Sequence, residues 1–428
     1  MSPLAIFIAE GAILIALPYI AWRYLGFRNV APLAVVQVMA GLALGPSVLG
    51  IAAPDFQHWL FPDANLAKLS GVATISVVLF TFLTGMHLEE RMVRNARPAT
   101  LGIAFSSFLV PLLLGFGLGY WFAISNPALV GPNAKIWEFA FGFGICIAVT
   151  ALPVLAAILR EMKIINAELG QQALGYAAIN DAGLWVAVSV LLVITGSHAE
   201  NPWRLAWIPV YLIVIIFFVP WLMRRVAAMR RDANGQQDVS DTILIVACAL
   251  AFCASVASEY VGLGYVVGAF LAGVAMPLEV RTPLIRRLDW PAALLLMPFF
   301  YMVTGLKTQA DLLSPAMIGL VAAATACAMI GKIAGVAIPS MLCGESWRRS
   351  VALGTLLQSK GLMEVLVVTI FMDAGIITPV IFSAVILVAI ICTLATMPLT
   401  WLVAGGPRTR EAVIGQRLPA GERSGPEN

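Results

Sequence analysis

Apolar residues along this chain come in long runs, interrupted by short breaks that hold most of the charge. Each run is about 20 residues, the length an α-helix needs to cross a hydrocarbon core of ~30 Å. Lipid offers backbone polar groups no partner, so a spanning segment must satisfy them internally. Continuous runs without a two-residue alternation therefore predict helices and argue against a barrel. The pattern predicts spans at roughly 3–22, 30–52, 67–86, 97–121, 137–159, 169–194, 205–223, 242–258, 261–279, 289–306, 315–341, 349–371 and 377–402. The division between the eighth and ninth rests on Ser258-Glu259-Tyr260 alone.

Composition supports this reading. Of 428 residues, 61% are hydrophobic and 11% charged, against about 25% charged in soluble domains. The six cysteines (Cys146, Cys248, Cys253, Cys327, Cys343, Cys392) lie in or beside apolar runs without a C-x-x-C spacing, and read as packing residues. Met1–Glu10 has no basic segment and leads into a long apolar run, so it is expected to be a retained helix and not a cleaved signal.

The net charge of +3 becomes informative once it is placed by loop. With the N-terminus outside, 20 of the 26 basic residues fall in cytoplasmic segments: Arg23 and Arg28, Arg91 to Arg97, Arg160 and Lys163, Arg224 to Arg231, Arg281 to Arg287, Arg348 and Arg349, and the C-terminal arginines. Lys68, Lys135, Arg204 and Lys307 are external, and Lys332 and Lys360 lie within spans. A missed helix would invert every later loop, so the asymmetry predicts an N-out, C-in topology.

The predicted fold class is thus all-α integral membrane, with about 13 transmembrane helices. They divide as six, one and six: 1–196 as a first repeat, 197–241 as a linker helix and loop, 242–402 as a second repeat of opposite orientation, and 403–428 as a short disordered tail. Inverted repeats of this kind build many secondary transporters. Two predicted helices carry helix-breaking signals at matched midpoints: the fifth has Thr150-Ala151-Leu152-Pro153, and the twelfth has Gln358-Ser359-Lys360-Gly361. Such breaks mark a transport site or, more simply, packing kinks.

Five ionisable residues fall within spans: Glu10, Asp181, Lys332, Lys360 and Glu364. Each costs ~2.5–3.5 kcal/mol at the bilayer centre on insertion scales and is a functional candidate. Asp181 lies near the midplane of the sixth helix, after Asn180. A carboxylate there can hold a dehydrated cation or a proton but not both, which is exchange chemistry; pairing two helices is the alternative. Lys332, between Gly331 and Gly335 of the eleventh helix, reads as the balancing charge of Asp181, or as a lysine snorkelling to the interface. Lys360 sits in the presumed break, where it would offset half-helix carbonyls. Glu364, one turn on, is either its structural partner or an ion ligand. Glu10 is expected to face a partner copy or water. Lys307 closes the tenth helix, as an interfacial anchor or at the outer mouth. His58, His87 and His198 read as ordinary exposed histidines.

Four motifs resemble one family, the monovalent cation:proton antiporters. Val35–Gly50, with Gly41, Gly45-Pro46-Ser47 and Gly50, is similar to the family's glycine-rich signature, although Gln37 stands where many members have Glu. Thr150–Arg160 resembles its crossing helix, and Asn180-Asp181 its ion-binding pair. Ser359-Lys360-Gly361-Leu362-Met363-Glu364 is similar to the segment found in the branch with plant cation/proton exchangers and Kef-type proteins. The resemblance spans residues 1–402. It implies a homodimer in the lipid bilayer in which a core moves against a dimerisation domain. Asp181 would bind the transported Na⁺ or K⁺ or the proton, with Asn180 in support, Thr150 and Ser359 lining the crossing, and Lys332, Lys360 and Glu364 balancing charge. Asn-Asp in place of Asp-Asp implies electroneutral exchange. No cofactor, no nucleic-acid partner and no nucleotide-binding domain are expected, and the location implied is the cell membrane, multi-pass.

The alternatives are an organic-solute exporter on the same fold, since fold does not fix substrate, and a channel-like K⁺ efflux protein. A lone midplane carboxylate without a ring of like groups speaks against the channel. An intramembrane enzyme lacks a G-x-G-D or H-E-x-x-H signature.

Overall fold

The computed structural model describes residues 3–27, 32–87, 98–196, 206–228, 241–308 and 314–405. The helices are α1 Pro3–Tyr24, α2 Leu33–Leu44, α3 Leu49–Ala52, α4 Pro54–Leu60, α5 Asp63–His87 and α6 Pro98–Ser125. They continue as α7 Ile136–Ala148, α8 Leu152–Glu161, α9 Glu168–Gly196, α10 Ile208–Ala228, α11 Asp241–Tyr260 and α12 Tyr265–Val274. The last are α13 Leu278–Lys307, which passes through a π-helical turn at Ala292–Leu296, then α14 Pro315–Leu342, α15 Trp347–Leu357, α16 Leu362–Asp373 and α17 Pro379–Ala404. Among the described residues ten helices are long and apolar enough to cross a membrane, so the chain is an all-helical, multi-pass membrane protein.

Several predicted boundaries move. The second span runs Leu33–Ala52, but Gly45-Pro46 interrupts its helix, so that α2 stops at Leu44 and α3 resumes at Leu49. The eighth does not end at Ser258: α11 runs to Tyr260, and the break lies at Val261–Gly264, where Gly262 and Gly264 take φ of 88° and 81°. Ser258 Oγ closes this turn on the Gly264 carbonyl at 2.8 Å. The segment 280–288, expected as a loop, lies in the first part of α13. The loop expected from Arg224 begins later, since α10 continues to Ala228. Arg28, Arg91, Arg94, Arg97, Arg204, Arg230, Arg231, His198 and the tail 406–428 lie outside the described residues.

The chain forms two compact units. Unit one comprises Met1–Pro18, Ala40–Glu89 and Ser189–Lys307. Its closest packing joins α5 to α12 through a reciprocal glycine pair. A Cβ on Gly85 would stand 2.2 Å from the Phe270 carbonyl oxygen, and one on Gly273 2.1 Å from that of Phe82. In lipid, such backbone-to-backbone approach supplies the dispersion contact that a hydrophobic effect supplies in water.

Unit two comprises Tyr19–Met39, Glu90–Val188 and Thr308–Asn428. It contains two interrupted helices, α7/α8 and α15/α16. The loops that precede α7 and follow α16 are stapled together. The Gly131 N–H donates to the Ile376 carbonyl (3.1 Å) and the Asn133 N–H to that of Gly375 (3.0 Å). The Thr378 hydroxyl donates to the Leu129 carbonyl at 3.1 Å. Elsewhere in this unit a hydroxyl pair, Thr355 and Thr400, links α15 to α17 at 3.0 Å.

Candidate functional site

Helix α7 stops at Ala148 and α8 starts at Leu152; α15 stops at Leu357 and α16 starts at Leu362. A proline in the first turn of α8, which lacks an N–H, and Gly361 at φ 147° account locally for two of these ends. Each interruption leaves carbonyls and N–H groups without helical partners, and here the two breaks satisfy one another. The Ala151 N–H donates to the Ser359 carbonyl at 2.9 Å. The Thr150 hydroxyl donates to the Leu357 carbonyl at 2.8 Å, at the end of α15. Thr393 of α17 completes the set: its hydroxyl accepts from the Lys360 N–H (3.0 Å) and donates to the Lys360 carbonyl (2.6 Å).

The Lys360 side chain crosses to the other break. Its ammonium donates to the carbonyls of Cys146 (2.9 Å) and Ile147 (3.1 Å), the negative end of α7, and to Glu364 Oε1 at 3.1 Å. Both Lys360 and Glu364 are fully buried. A buried ion pair offsets its desolvation only when further hydrogen bonds complete it, and the α7 carbonyls supply them on the lysine side. Glu364 Oε2 has no hydrogen-bond partner among the described residues.

Asp181 lies midway along α9, 4% exposed. Its Oδ1 is buried and has no hydrogen-bond partner among the described residues. Asn180 does not bond Asp181. Its Nδ2 donates to the Ser107 hydroxyl on α6 at 2.9 Å, and that hydroxyl donates in turn to the Ala104 carbonyl at 2.7 Å. Lys332 is 0% exposed, so it does not snorkel. Its ammonium donates to the Ser107 backbone carbonyl at 3.0 Å, and no ion pair joins it to Asp181. Lys332 and Asn180, the residue before Asp181, nonetheless converge on the same residue, Ser107.

Ser107 therefore ties α9 and α14 to α6, and the sequence reading missed it. The available signals were Ser106-Ser107 inside an apolar run and Pro111 four residues later. Gln358, quoted as part of the break motif but not as a site residue, is fully buried, and neither amide atom has a partner among the described residues. The Ser359 hydroxyl is likewise buried and without a partner among the described residues. Asp181, Gln358, Ser359 and Glu364 thus leave polar atoms open inside one compact unit, at a cost that a bound ion or water would relieve.

Glu10 departs from expectation. It is fully buried and accepts from Asn65 Nδ2 of α5 at 3.0 Å, so it faces neither water nor a partner. Lys307, His58 and His87 are exposed.

Two interrupted helices bonded through their breaks, beside a helix with a buried carboxylate, define a class: helical membrane proteins built as secondary transporters are. The sodium/hydrogen exchanger transmembrane family profile matches residues 12–405, and the chain belongs to that family. It is 29% identical to cation/H(+) antiporter 17 of Arabidopsis thaliana over 87% of this chain and 45% of that protein. It is 27% identical to K(+)/H(+) antiporter 1 of Saccharomyces cerevisiae, over 94% of this chain and 47% of the relative. Against Na(+)/H(+) antiporter NhaS4 of Synechocystis sp. it is 27% identical, over 88% and 92% respectively. The chain spans about half the length of the plant and yeast relatives. Among solved structures, the sodium proton antiporter MjNhaP1 from Methanocaldococcus jannaschii superposes with a TM-score of 0.65, at 14% identity, over 96% of this chain and 100% of that one. The likeness establishes a common fold.

Proposed function

We propose that this chain exchanges a monovalent cation, Na⁺ or K⁺, for protons across the cell membrane by alternating access. The observation that carries the reading is Asp181: a buried carboxylate midway along a long apolar helix, one oxygen of which has no partner. Such a group takes either a cation or a proton, so the two compete for one site. Family membership and the cation/proton antiporters among the relatives support the same reading.

In this reading Asn180 holds its side of α9 on α6 and supports Asp181 through position, without a direct bond. Thr150 and Ser359 line the crossing of the two breaks. Lys332 balances the Asp181 charge, and Lys360 with Glu364 neutralises the half-helix ends. One exchangeable carboxylate beside a neutral Asn makes the exchange electroneutral. Residues 1–196 and 242–402 are the two inverted repeats, in an N-out, C-in homodimer.

The deciding experiment is a proteoliposome assay with a pH-sensitive dye, adding Na⁺ or K⁺ in turn. Cation-dependent proton movement that disappears in Asp181→Asn supports the proposal. Full activity in that variant overturns the mechanism. Proton movement driven only by an organic cation assigns the fold to a different cargo.

A further inference from the structure

Pro111 lies inside α6. Proline has no N–H, so the carbonyl four residues earlier loses its helical donor. That residue is Ser107. Away from water, a freed carbonyl has to be satisfied by another group, and it is met by the Lys332 ammonium, 3.0 Å away and 225 positions along the chain. The helices come close enough for this because of the glycines that flank Lys332. A Cβ on Gly331 would stand 2.8 Å from Pro111 Cα, and one on Gly335 2.8 Å from the Ser106 carbonyl oxygen. The Ser107 hydroxyl serves Asn180, so one residue receives a group from each side of the Asp181 region.

We infer that Pro111 is a positioning residue: by deleting one backbone donor it turns the Ser107 carbonyl into a seat for the Lys332 ammonium, holding that charge near Asp181 but not paired with it. The inference rests on the reading of Asp181 as the cation site. A seated lysine leaves the Asp181 oxygen open to the transported ion. An unseated lysine pairs with Asp181 and competes with the ion.

Pro111→Ala restores an N–H that donates to the Ser107 carbonyl and displaces Lys332. The apparent KM for the cation should then rise about tenfold, the size of one lost hydrogen bond to a charged group, with kcat within about twofold. In a Lys332→Met background the same substitution should leave KM unchanged. Pro111→Val, which restores the N–H with nearly the ring's volume, serves if the alanine variant does not fold. A purely structural proline would instead lower kcat or thermal stability, and would do so whether or not Lys332 is present.

A second readout is independent of transport. The Nζ resonance of Lys332 in lysine-labelled protein, identified by its loss in Lys332→Met, should move in Pro111→Ala. It should move far less in Ser107→Ala, which keeps the carbonyl. An unchanged KM together with an unmoved resonance overturns the inference, as does a KM change that persists without Lys332. If the wild-type protein exchanges no cation, the exchange reading fails, and the resonance alone decides whether the seat exists.

Discussion

The ammonium of Lys360 lies 2.9 Å from the backbone carbonyl oxygen of Cys146, so a side chain from one interrupted helix closes the open end of the other. The lysine thereby neutralises the partial negative charge that four orphan carbonyls leave at a helix C-terminus, and it brings Glu364 along as its ion-pair partner. Charge compensation and backbone satisfaction are here one interaction.

Removing that cation should be costly. Lys360→Met leaves Glu364 buried and unpaired, a loss of about 3–5 kcal/mol. The double variant Lys360→Met/Glu364→Gln removes the stranded charge and should recover part of it. Thermal unfolding in detergent should rank wild type above the double variant and the double variant above the single. A double variant less stable than Lys360→Met would contradict the pairing.

Asp181→Asn should abolish cation-dependent proton movement while leaving the protein folded, since an amide fits the same volume. Na⁺ or K⁺ should raise the melting temperature of the wild type by binding only the folded state, and the variant should lose that rise. Cation-induced stabilisation that persists in the variant would move the site elsewhere.

The proposed competition between proton and cation has a fixed sign. Raising the pH removes the competitor, so the apparent KM for the cation should fall as pH rises, and kcat should change less. Transport kinetics across about two pH units test this, and a KM independent of pH would argue for separate sites.

The proposed single exchangeable carboxylate also predicts that clamping the membrane potential leaves the exchange rate unchanged. Asn180→Asp adds a second carboxylate beside Asp181 and should make the rate respond to the potential. Dye assays with and without a potassium-ionophore clamp decide between the two. A clamp-sensitive wild type would overturn electroneutrality.

The glycine pair of unit one gives a purely structural test. Gly273→Ala places a methyl 2.1 Å from the Phe82 carbonyl oxygen, so α5 and α12 must separate. The loss should be about 1–3 kcal/mol, read as a lower melting temperature. Gly102→Ala, where nothing lies within 4 Å, is the control and should be neutral.

Helix positions were legible because the governing quantity, hydropathy summed over a span, is local. The interruptions at Thr150 and Ser359 were visible for a similar reason: Pro153 and Gly361 act on their own backbone. Local turn chemistry also explains the misplaced boundaries. Gly262 and Gly264 outrank the polar Ser258-Glu259-Tyr260 as the break, because positive φ ends a helix whereas a polar side chain at a helix end does not. The loop expected at 280–288 failed on the other side of that rule: charged residues in a helix look like a loop when only hydropathy is weighed.

By itself, the sequence determined that this is a multi-pass helical membrane protein, that two of its helices break, and that Asp181, Lys332, Lys360 and Glu364 are charges lipid would not tolerate. Tertiary structure alone decided which groups those charges meet. Lys332 bonds a carbonyl freed by Pro111 and does not pair with Asp181; Asn180 bonds Ser107; Glu10 turns inward to Asn65. A buried charge dictates that it must find a partner, because desolvation is a property of the residue. Which partner it finds depends on helices brought together from 55 to 225 positions apart, and that selection is made by packing.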